Sequence, residues 1–364
     1  MRGHLVLADI SGYTRFLTES ELEHANGIIG ELLNAVITAI EAPLTVSRIE
    51  GDAVFMYGVM PEGTSGETVL ESVELLYISF ARALEIMVLN TSCPCNACAN
   101  INTLGLKIVM HCGEIAKTKV GGMETLAGPD VVVAHRLLKN SIRETIGIDD
   151  YLLVTQACVD DLGIQRIVTG WVAHTEEYEH VGEVTGYVSS LSDVWEFSRR
   201  QNENKVLQAD AFMTLSAYSK APPVVVWDHL VSPIKRTGWL NAERNEVENE
   251  TGGRIGPGAE YHCSHGADVL FVFTVLDRRP VDYLTLLLPV GNGVALRFTD
   301  YLVPSGQGTR IVSCFAPAFF VESGEVVPDD VLTNIEEEMG PSYQVSLGRL
   351  VEMADRAAQE LAAV

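Results

Sequence analysis

Two aspartates, each at the end of a strand-like segment, constrain this chain more than any other feature. Asp9 follows the apolar run Leu-Val-Leu-Ala, which predicts a strand. Asp52 lies at the Gly-Asp tip between two alternating segments within residues 46–57, which predicts a β-hairpin. If these strands pair, both carboxylates meet at one edge of a sheet. Carboxylate oxygens are suitable ligands for Mg²⁺ or Mn²⁺.

The residues that follow Asp9 predict a turn that opens a helix. Ser11 and Gly12 form the turn, and Tyr13 and Thr14 begin the helix. The first amide groups of a helix have no acceptor within the helix, and the helix dipole favours an anion there. We therefore expect this helix start to face a phosphate group.

Four segments of the chain together resemble the class III nucleotide cyclases, the family of adenylate and guanylate cyclases. The first two are the segments around Asp9 and Asp52. Residues 108–114, Ile-Val-Met-His-Cys-Gly-Glu, are similar to the family's strand that ends in glycine. Residues 126–137, Leu-Ala-Gly-Pro-Asp-Val-Val-Val-Ala-His-Arg-Leu, resemble its Gly-x-x-Val-Asn-x-Ala-x-Arg helix. The motifs occur in the family's order, and the resemblance covers roughly residues 5 to 197.

The resemblance implies a ferredoxin-like palm domain that acts as a homodimer with active sites between the subunits. Such an enzyme converts a nucleoside triphosphate into a 3′,5′-cyclic nucleotide and pyrophosphate, with two metal ions about 4 Å apart. Asp9, Asp52 and the backbone carbonyl of Ile10 would hold the metals. The amides from Ser11, Gly12, Tyr13 and Thr14 would bind phosphates, and Arg136 would face the α-phosphate as the catalytic cation.

The chain also departs from the family pattern. The position of the transition-state asparagine is Val132, and the loss of one such donor costs about 3 to 4 kcal/mol. The two base-selecting positions are Arg48 and Thr125, so the choice between ATP and GTP stays open. A late strand around residues 178–184 is acidic where the family places a phosphate-binding lysine. Three side chains are candidate substitutes: Lys119, His135 and Lys139.

These departures leave a second hypothesis open, that of a cyclase-like scaffold that has lost turnover and senses nucleotide. Each aspartate taken alone is also typical of a helix cap or turn. Arg136, on a predicted amphipathic helix, is equally consistent with a surface charge. The prediction of a metal site therefore depends on Asp9 and Asp52 occurring together.

A second candidate metal site is the loop that holds Cys93, Cys95 and Cys98. Three thiolates in a Cys-x-Cys-x-x-Cys pattern predict Zn²⁺ or an iron–sulfur centre. No fourth ligand is evident, because His111 and Cys112 lie about 20 Å away if their strand is extended. The alternatives are a merely cysteine-rich or redox-active loop, or a metal or redox signal that gates dimerisation. The odd total of seven cysteines argues against a disulfide framework.

Charge limits the partners of this 364-residue chain. Its formal net charge of −24 would repel nucleic acids and anionic membrane surfaces, which argues against both as partners. A nucleotide remains compatible because bound metal ions invert the local field. No apolar run reaches about 18 residues, and no signal peptide precedes the first strand, so a cytoplasmic location is expected.

The second half of the chain predicts another domain. After a polar linker at residues 198–207, residues 208–364 show a strand, helices from Pro222, several strands between residues 260 and 302, and a helix over 343–361. This order resembles the START-like, or SRPBCC, helix-grip superfamily, which implies an apolar cavity for a hydrophobic small molecule. Candidate polar residues for that cavity are Trp239, Tyr261, His262 and His265. The whole chain is thus expected to be α+β, with a cyclase-like palm in residues 1–197 followed by the helix-grip domain.

Overall fold

The computed structural model describes residues 1–40, 44–60, 63–121, 123–200, 204–266 and 269–362. The chain is a mixed α+β protein, as its sequence predicts. It divides into two compact units. The first comprises Met1–Glu62 and Val69–Ser198, and the second comprises Gly63–Thr68 and Arg199–Val364.

The first unit is built on a seven-stranded sheet with the order β2-β3-β1-β4-β7-β9-β8. A separate two-stranded ribbon, β5-β6, lies between β4 and the next helix in the chain. The strands described up to residue 190 are β1 (Arg2–Ser11), β2 (Thr45–Glu50), β3 (Ala53–Gly58), β4 (Gly105–Glu114), β5 (Ala116–Val120), β6 (Met123–Ala127), β7 (Tyr151–Thr155), β8 (Val172–Tyr178) and β9 (Gly182–Ser190).

Helices cover both faces of this sheet. Those described up to residue 200 are α1 (Tyr13–Thr18), α2 (Leu22–Thr38), α3 (Gly66–Asn90), α4 (Asn96–Ala99), α5 (Pro129–Leu137), α6 (Ile142–Ile146), α7 (Gln156–Leu162), α8 (Gln165–Val168) and α9 (Leu191–Arg200). Alternate residues of β1 point to opposite faces. Val6 and Ala8 pack with α2 and α3, whereas Leu5 and Leu7 pack with α5. Both faces of β1 are therefore buried, which explains its unbroken apolar sequence.

One disulfide joins the sheet to a helix. Cys112 on β4 and Cys158 on α7 are bonded, with their Cα atoms 4.8 Å apart, within the normal range for a disulfide. The two residues are 46 positions apart and meet because α7 packs against β4. The odd number of cysteines argued against a disulfide framework but gave no sign of this single bond, and the other five cysteines are free.

The second unit contains an antiparallel sheet with the order β10-β16-β15-β14-β13-β12-β11, in which β17 also pairs with β15. Its strands are β10 (Met213–Ser219), β11 (Arg244–Glu248), β12 (Glu260–Ser264), β13 (Leu270–Arg279), β14 (Tyr283–Gly291), β15 (Val294–Ser305), β16 (Gly308–Phe315) and β17 (Phe319–Phe320). Its helices are α10 (Pro223–Val231), α11 (Pro233–Leu240) and α12 (Asp329–Ala362).

Two element boundaries differ from those expected. The last helix begins at Asp329 rather than at residue 343, because it continues through Pro341 instead of starting after it. Residues 198–200 of the expected linker, which was placed at 198–207, belong to α9 instead. Leu191 and Ser198 of this helix are buried, and their packing keeps its polar end helical. Residues 201–203 of that linker lie outside the described part of the chain.

Candidate functional site

The two aspartates of the predicted metal site lie side by side in the first unit. The antiparallel pairing of β1 with β3 places Asp9 opposite Ala53, the residue after Asp52. The Ile10 amide donates a hydrogen bond of 3.2 Å to the Asp52 carbonyl oxygen. Burial, followed by the negative charge of Asp9, raises the pKa of Asp52. The structure therefore brings two mutually repelling carboxylates together at the end of the central strands.

A lysine that the sequence analysis missed completes this end of the sheet. Lys107 on β4 is the register partner of Asp9. Its Nζ lies 3.0 Å from Asp9 Oδ2, and it also donates a hydrogen bond of 3.2 Å to the Leu138 carbonyl. Lys107 falls opposite Asp9 once β1 and β4 are known to pair in the antiparallel direction in this register.

The donor set fits a hard divalent cation. Two carboxylates and the nearby Ile10 carbonyl are all oxygen ligands, and their mutual repulsion is relieved by a positive charge. Lys107 already supplies one such charge to Asp9. A metal ion at this position would therefore share Asp9 with the ammonium group or displace it.

The helix expected after Asp9 is short but begins where predicted. Helix α1 starts at Tyr13, with Gly12 as its N-cap at a φ of 83° and no side-chain cap among the described residues. The Phe16 amide bonds to the Gly12 carbonyl at 2.9 Å, so the amides of Tyr13 and Thr14 precede the first intrahelical bond. Ser11 is the last residue of β1. A side chain at Gly12 would approach the Thr103 carbonyl oxygen to 2.9 Å, which together with the positive φ requires glycine.

The two residues expected to select the base, Arg48 on β2 and Thr125 on β6, are in contact. Arg48 donates to the Thr125 hydroxyl at 3.3 Å and lies 3.2 Å from Nε2 of His135. Its guanidinium also pairs with Glu50 and lies 5.3 Å from the centre of the Phe55 ring. Burial lowers the pKa of His135. Residues that are far apart in the sequence thus form one polar cluster beside an aromatic ring.

Helix α5 presents the two expected catalytic positions to solvent. Val132 is 52% exposed, and Arg136, one turn further, is also exposed. The Arg136 side chain makes no ion pair within the part of the chain that the structure describes. Of the suggested substitutes, Lys119 and Lys139 are exposed as well.

The start of α5 is anchored to β4. Asp130 accepts a 2.6 Å hydrogen bond from the Glu114 amide and lies 3.1 Å from Nε2 of His111. A Cβ at Gly113 would lie 2.1 Å from the Asp130 carboxyl carbon, so only glycine leaves room for this contact. Burial lowers the pKa of His111, which favours its neutral form. His111 therefore orients a helix and is not placed at the cysteine loop.

The acidic segment at residues 178–184 is not a single strand. It contains the turn between β8 and β9, with His180 at a φ of 68°. The expectation of a late strand there was wrong, because the strand-like residues on each side belong to a hairpin rather than to one continuous run.

The cysteine loop lies against the start of α2. The sulfur atoms of Cys93, Cys95 and Cys98 and the Nδ1 atom of His24 all lie within 4.8 Å of one another. His24 was not expected at this site, because it lies 69 positions before Cys93 and carries no local motif. The more distant Cys112 is already bonded to Cys158.

The second unit contains a cavity of about 480 Å³ between its sheet and α12. Its wall is mainly apolar and includes Phe273, Leu288, Phe298, Ile335, Met339 and Tyr343. Of the four candidate polar residues, only His265 lines it. Tyr261 and Trp239 are instead fully buried and donate to the Val231 and His229 carbonyls.

Comparison with solved structures finds similar chains at low TM-scores. A guanylyl cyclase, Cya2, covers 52% of this chain and 92% of its own, at 12% identity and a TM-score of 0.38. The adenylyl cyclase CyaB from P. aeruginosa covers 52% of this chain and 96% of its own, at 14% identity and a TM-score of 0.36. Protein CV1439 from Chromobacterium violaceum covers 39% of this chain and 96% of its own, at 17% identity and a TM-score of 0.31. Adenylyl and guanylyl cyclases are thus among the structures similar to about half of this chain.

Sequence comparison leads to proteins without an assigned function. A family model described as "Protein of unknown function (DUF2652)" matches residues 29–146. The uncharacterized protein Rv2561/Rv2562 of Mycobacterium tuberculosis is 29% identical over 167 residues, which are 45% of this chain and 74% of that protein. Among the described residues, no helix combines the length and the apolar character needed to cross a membrane.

Proposed function

We propose that the first unit binds a nucleoside triphosphate with Mg²⁺ or Mn²⁺ and converts it into a 3′,5′-cyclic nucleotide and pyrophosphate. The observation that carries this proposal is the adjacency of Asp9 and Asp52 at the end of β1 and β3, directly before α1. Hard oxygen ligands beside unpaired helix amides match the needs of a metal-bound triphosphate. The order of the four sequence motifs supports the same class of reaction.

In this proposal, separate residues of the first unit bind the metal, bind the phosphates and stabilise the transition state. Asp9, Asp52 and the Ile10 carbonyl hold the metal, and the amides of Tyr13 and Thr14 bind phosphate oxygens. The metal, when bound, neutralises charge on the phosphates. The 3′-oxygen forms a bond to the α-phosphorus, the bond between the α-phosphorus and pyrophosphate breaks, and the hydroxyl proton passes to solvent water. Arg136 stabilises the negative charge that builds up on the α-phosphate.

The exposed position of Arg136 supports a homodimer. Its guanidinium lies on a solvent-facing side of α5 and has no ion-pair partner among the described residues. A permanently charged, planar group gains most from a phosphate ligand when a second surface excludes water. We therefore propose that Arg136 acts on a nucleotide held by the metal site of a second copy of the chain. The Arg48 and Thr125 cluster would then contact the base.

The deciding experiment incubates the purified chain with ATP or with GTP and Mn²⁺, and assays cyclic nucleotide and pyrophosphate. Asp9→Ala and Asp52→Ala should abolish product, and Asp210→Ala, which changes an exposed aspartate, should not. Equal activity of the wild type and both site variants would refute the proposal. Mixing Asp9→Ala with Arg136→Ala chains should restore part of the activity if the sites form between subunits.

A second candidate function is that of a nucleotide sensor without turnover. Two observations favour it, namely the ion pair of Lys107 with Asp9 and the apolar Val132 at the asparagine position. This candidate predicts that the wild type binds a nonhydrolysable triphosphate with Mn²⁺ in calorimetry yet forms no cyclic product. Product formation by the wild type would exclude it.

We also propose that the second unit binds a hydrophobic small molecule. The support is its cavity of about 480 Å³, which is within the range of small-molecule sites and mainly apolar. A fluorescent fatty acid should bind the wild type, and Met339→Trp, which fills the cavity, should weaken binding. The control Glu337→Trp places the same bulk on an exposed position of α12 and should bind normally. Unchanged binding by Met339→Trp would contradict the proposal.

A further inference from the structure

We propose that His24, Cys93, Cys95 and Cys98 form a closed structural zinc site. The proposal is independent of the nucleotide chemistry of the first unit. The four ligand atoms, one nitrogen and three sulfurs, lie within 4.8 Å of one another. Three cysteines and one histidine are a common ligand set of structural zinc sites, and all four coordination positions are filled by the protein.

The distances agree with a single tetrahedral ion. With Zn–S of 2.3 Å and Zn–N of 2.0–2.1 Å, a tetrahedron places each sulfur about 3.6 Å from the nitrogen. His24 Nδ1 lies 3.2 Å from the sulfur of Cys95 and 3.7 Å from that of Cys93. Its distance to the sulfur of Cys98 is 3.8 Å. The ligand atoms therefore already surround a space of the right size.

The backbone around the loop holds this arrangement in place. Cys95 is the N-cap of α4, and its sulfur accepts a hydrogen bond of 3.4 Å from the Cys98 amide. Such N–H to sulfur bonds orient and stabilise metal-bound thiolates as outer-shell contacts. Glu21, three residues before His24, accepts a 3.0 Å hydrogen bond from the Ala97 amide. The start of α2 and the cysteine loop are thus tied together by groups other than the ligands.

The position of the site indicates a structural role. The chain runs from Cys98, near the end of α4, to Thr103, whose carbonyl oxygen lies close to Gly12 at the start of α1. A zinc ion would fasten this segment, which is otherwise held by short helices, to α2. Its four protein ligands leave no position for a water or substrate molecule, so the ion would stabilise the fold and not act on a substrate.

The test is the metal content of the purified full chain and of three variants. Wild type is expected to carry one zinc ion per chain and His24→Ala much less after the same dialysis. His24→Cys should retain zinc, because a fourth thiolate is an equivalent ligand. His180→Asn, which changes an exposed histidine outside the cluster, should bind as wild type does. Circular dichroism checks that every variant is folded.

Substitution with Co²⁺ gives a second readout that does not depend on how the protein was purified. Wild type should show the absorption of tetrahedral cobalt–thiolate, stronger in His24→Cys and weakened in His24→Ala. Stoichiometric zinc in His24→Ala, iron with acid-labile sulfide, or cysteines that bind no metal under reducing conditions would each overturn the proposal. Glu21→Ala should weaken zinc binding about 10- to 100-fold, as loss of an outer-shell contact does.

Discussion

Lys107 Nζ lies 3.0 Å from Asp9 Oδ2, so one of the two carboxylates proposed to bind a metal already has a positive partner in the chain. The two residues face each other across β1 and β4, and both side chains are partly buried. Any divalent ion at Asp9 and Asp52 would have to share Asp9 with this ammonium group or displace it. Lys107 therefore bears directly on the choice between an enzyme and a sensor.

Replacing the ammonium group should strengthen metal binding. An ion pair of this kind is worth about 1 kcal/mol, so Lys107→Met should bind Mn²⁺ about 5-fold more tightly. Isothermal titration calorimetry in the absence of nucleotide measures the change. Lys220→Met removes an exposed charge in the second unit instead and is the matched control. Weaker Mn²⁺ binding by Lys107→Met would show that the lysine supports the site rather than competing for it.

Restoring the missing asparagine should raise turnover. Val132 is exposed, so Val132→Asn should change the free energy of unfolding by less than about 0.5 kcal/mol. A hydrogen-bond donor at a transition state is worth roughly 100- to 1000-fold in rate. Cyclic product formation should rise by up to this factor in Val132→Asn and stay unchanged in Val132→Ala. An equal rate in all three proteins would mean that this position does not limit catalysis.

The raised pKa of Asp52 predicts a pH-dependent stability effect. Burial and the charge of Asp9 raise this pKa above the ordinary value of 3.8, although Lys107 partly offsets them. The folded state thus holds the proton more tightly, and the associated stability is present below pH 3.8 and lost as pH rises through the raised pKa.

Without divalent ions, Asp52→Asn should therefore unfold at a higher urea concentration than wild type at neutral pH. The difference should disappear below pH 3.8, where the carboxyl is protonated in both states. Added Mn²⁺ should stabilise wild type but not Asp52→Asn. A variant that is less stable than wild type at neutral pH would show that the carboxylate is already satisfied.

Two glycines in the first unit provide a matched test of packing. Gly113→Ala would place a methyl group 2.1 Å from the Asp130 carboxyl carbon, so a loss of about 1 to 3 kcal/mol is expected. Gly27→Ala, on an exposed part of α2 with no atom within 4 Å, should instead gain about 0.5 to 1 kcal/mol. Urea unfolding measures both. Similar effects at the two sites would contradict the close contact at Gly113.

The sequence predicted the local parts of the candidate site better than the long-range ones. The strand before Asp9, the hairpin tip at Asp52 and the helix after Gly12 each depend on neighbours within a few residues, and all three are present. His24 and Lys107 were missed because their roles depend on which elements pack together. A histidine within an amphipathic helix and a lysine within an apolar strand carry no signal until the partner is known.

In the second unit, too, the elements that depend on long-range pairing were not predicted from the sequence. Periodic apolar residues indicated most of its strands, but β11 (Arg244–Glu248) is mostly polar and was not recognised. It forms because its backbone pairs with β12, as in the register of Asn245 with Cys263. The start of α12 was placed at residue 343, whereas the helix begins at Asp329 and contains Pro341. Proline inside a helix is uncommon, so the residues before Pro341 carry little sign of belonging to it.

Strand β1 is hydrogen-bonded along both edges, to β3 from His4 to Asp9 and to β4 from Arg2 to Ser11. Each amide of β1 donates to only one of these neighbours, so its exchange with deuterium requires separation from that strand alone. The turn at Gly51 and Asp52 is held to β1 by the hydrogen bond from the Ile10 amide to the Asp52 carbonyl oxygen. Asp9 thus lies in a strand paired on both sides, whereas Asp52 lies in the turn between β2 and β3. A metal ion held by both carboxylates would therefore link the middle of the sheet to a hairpin turn.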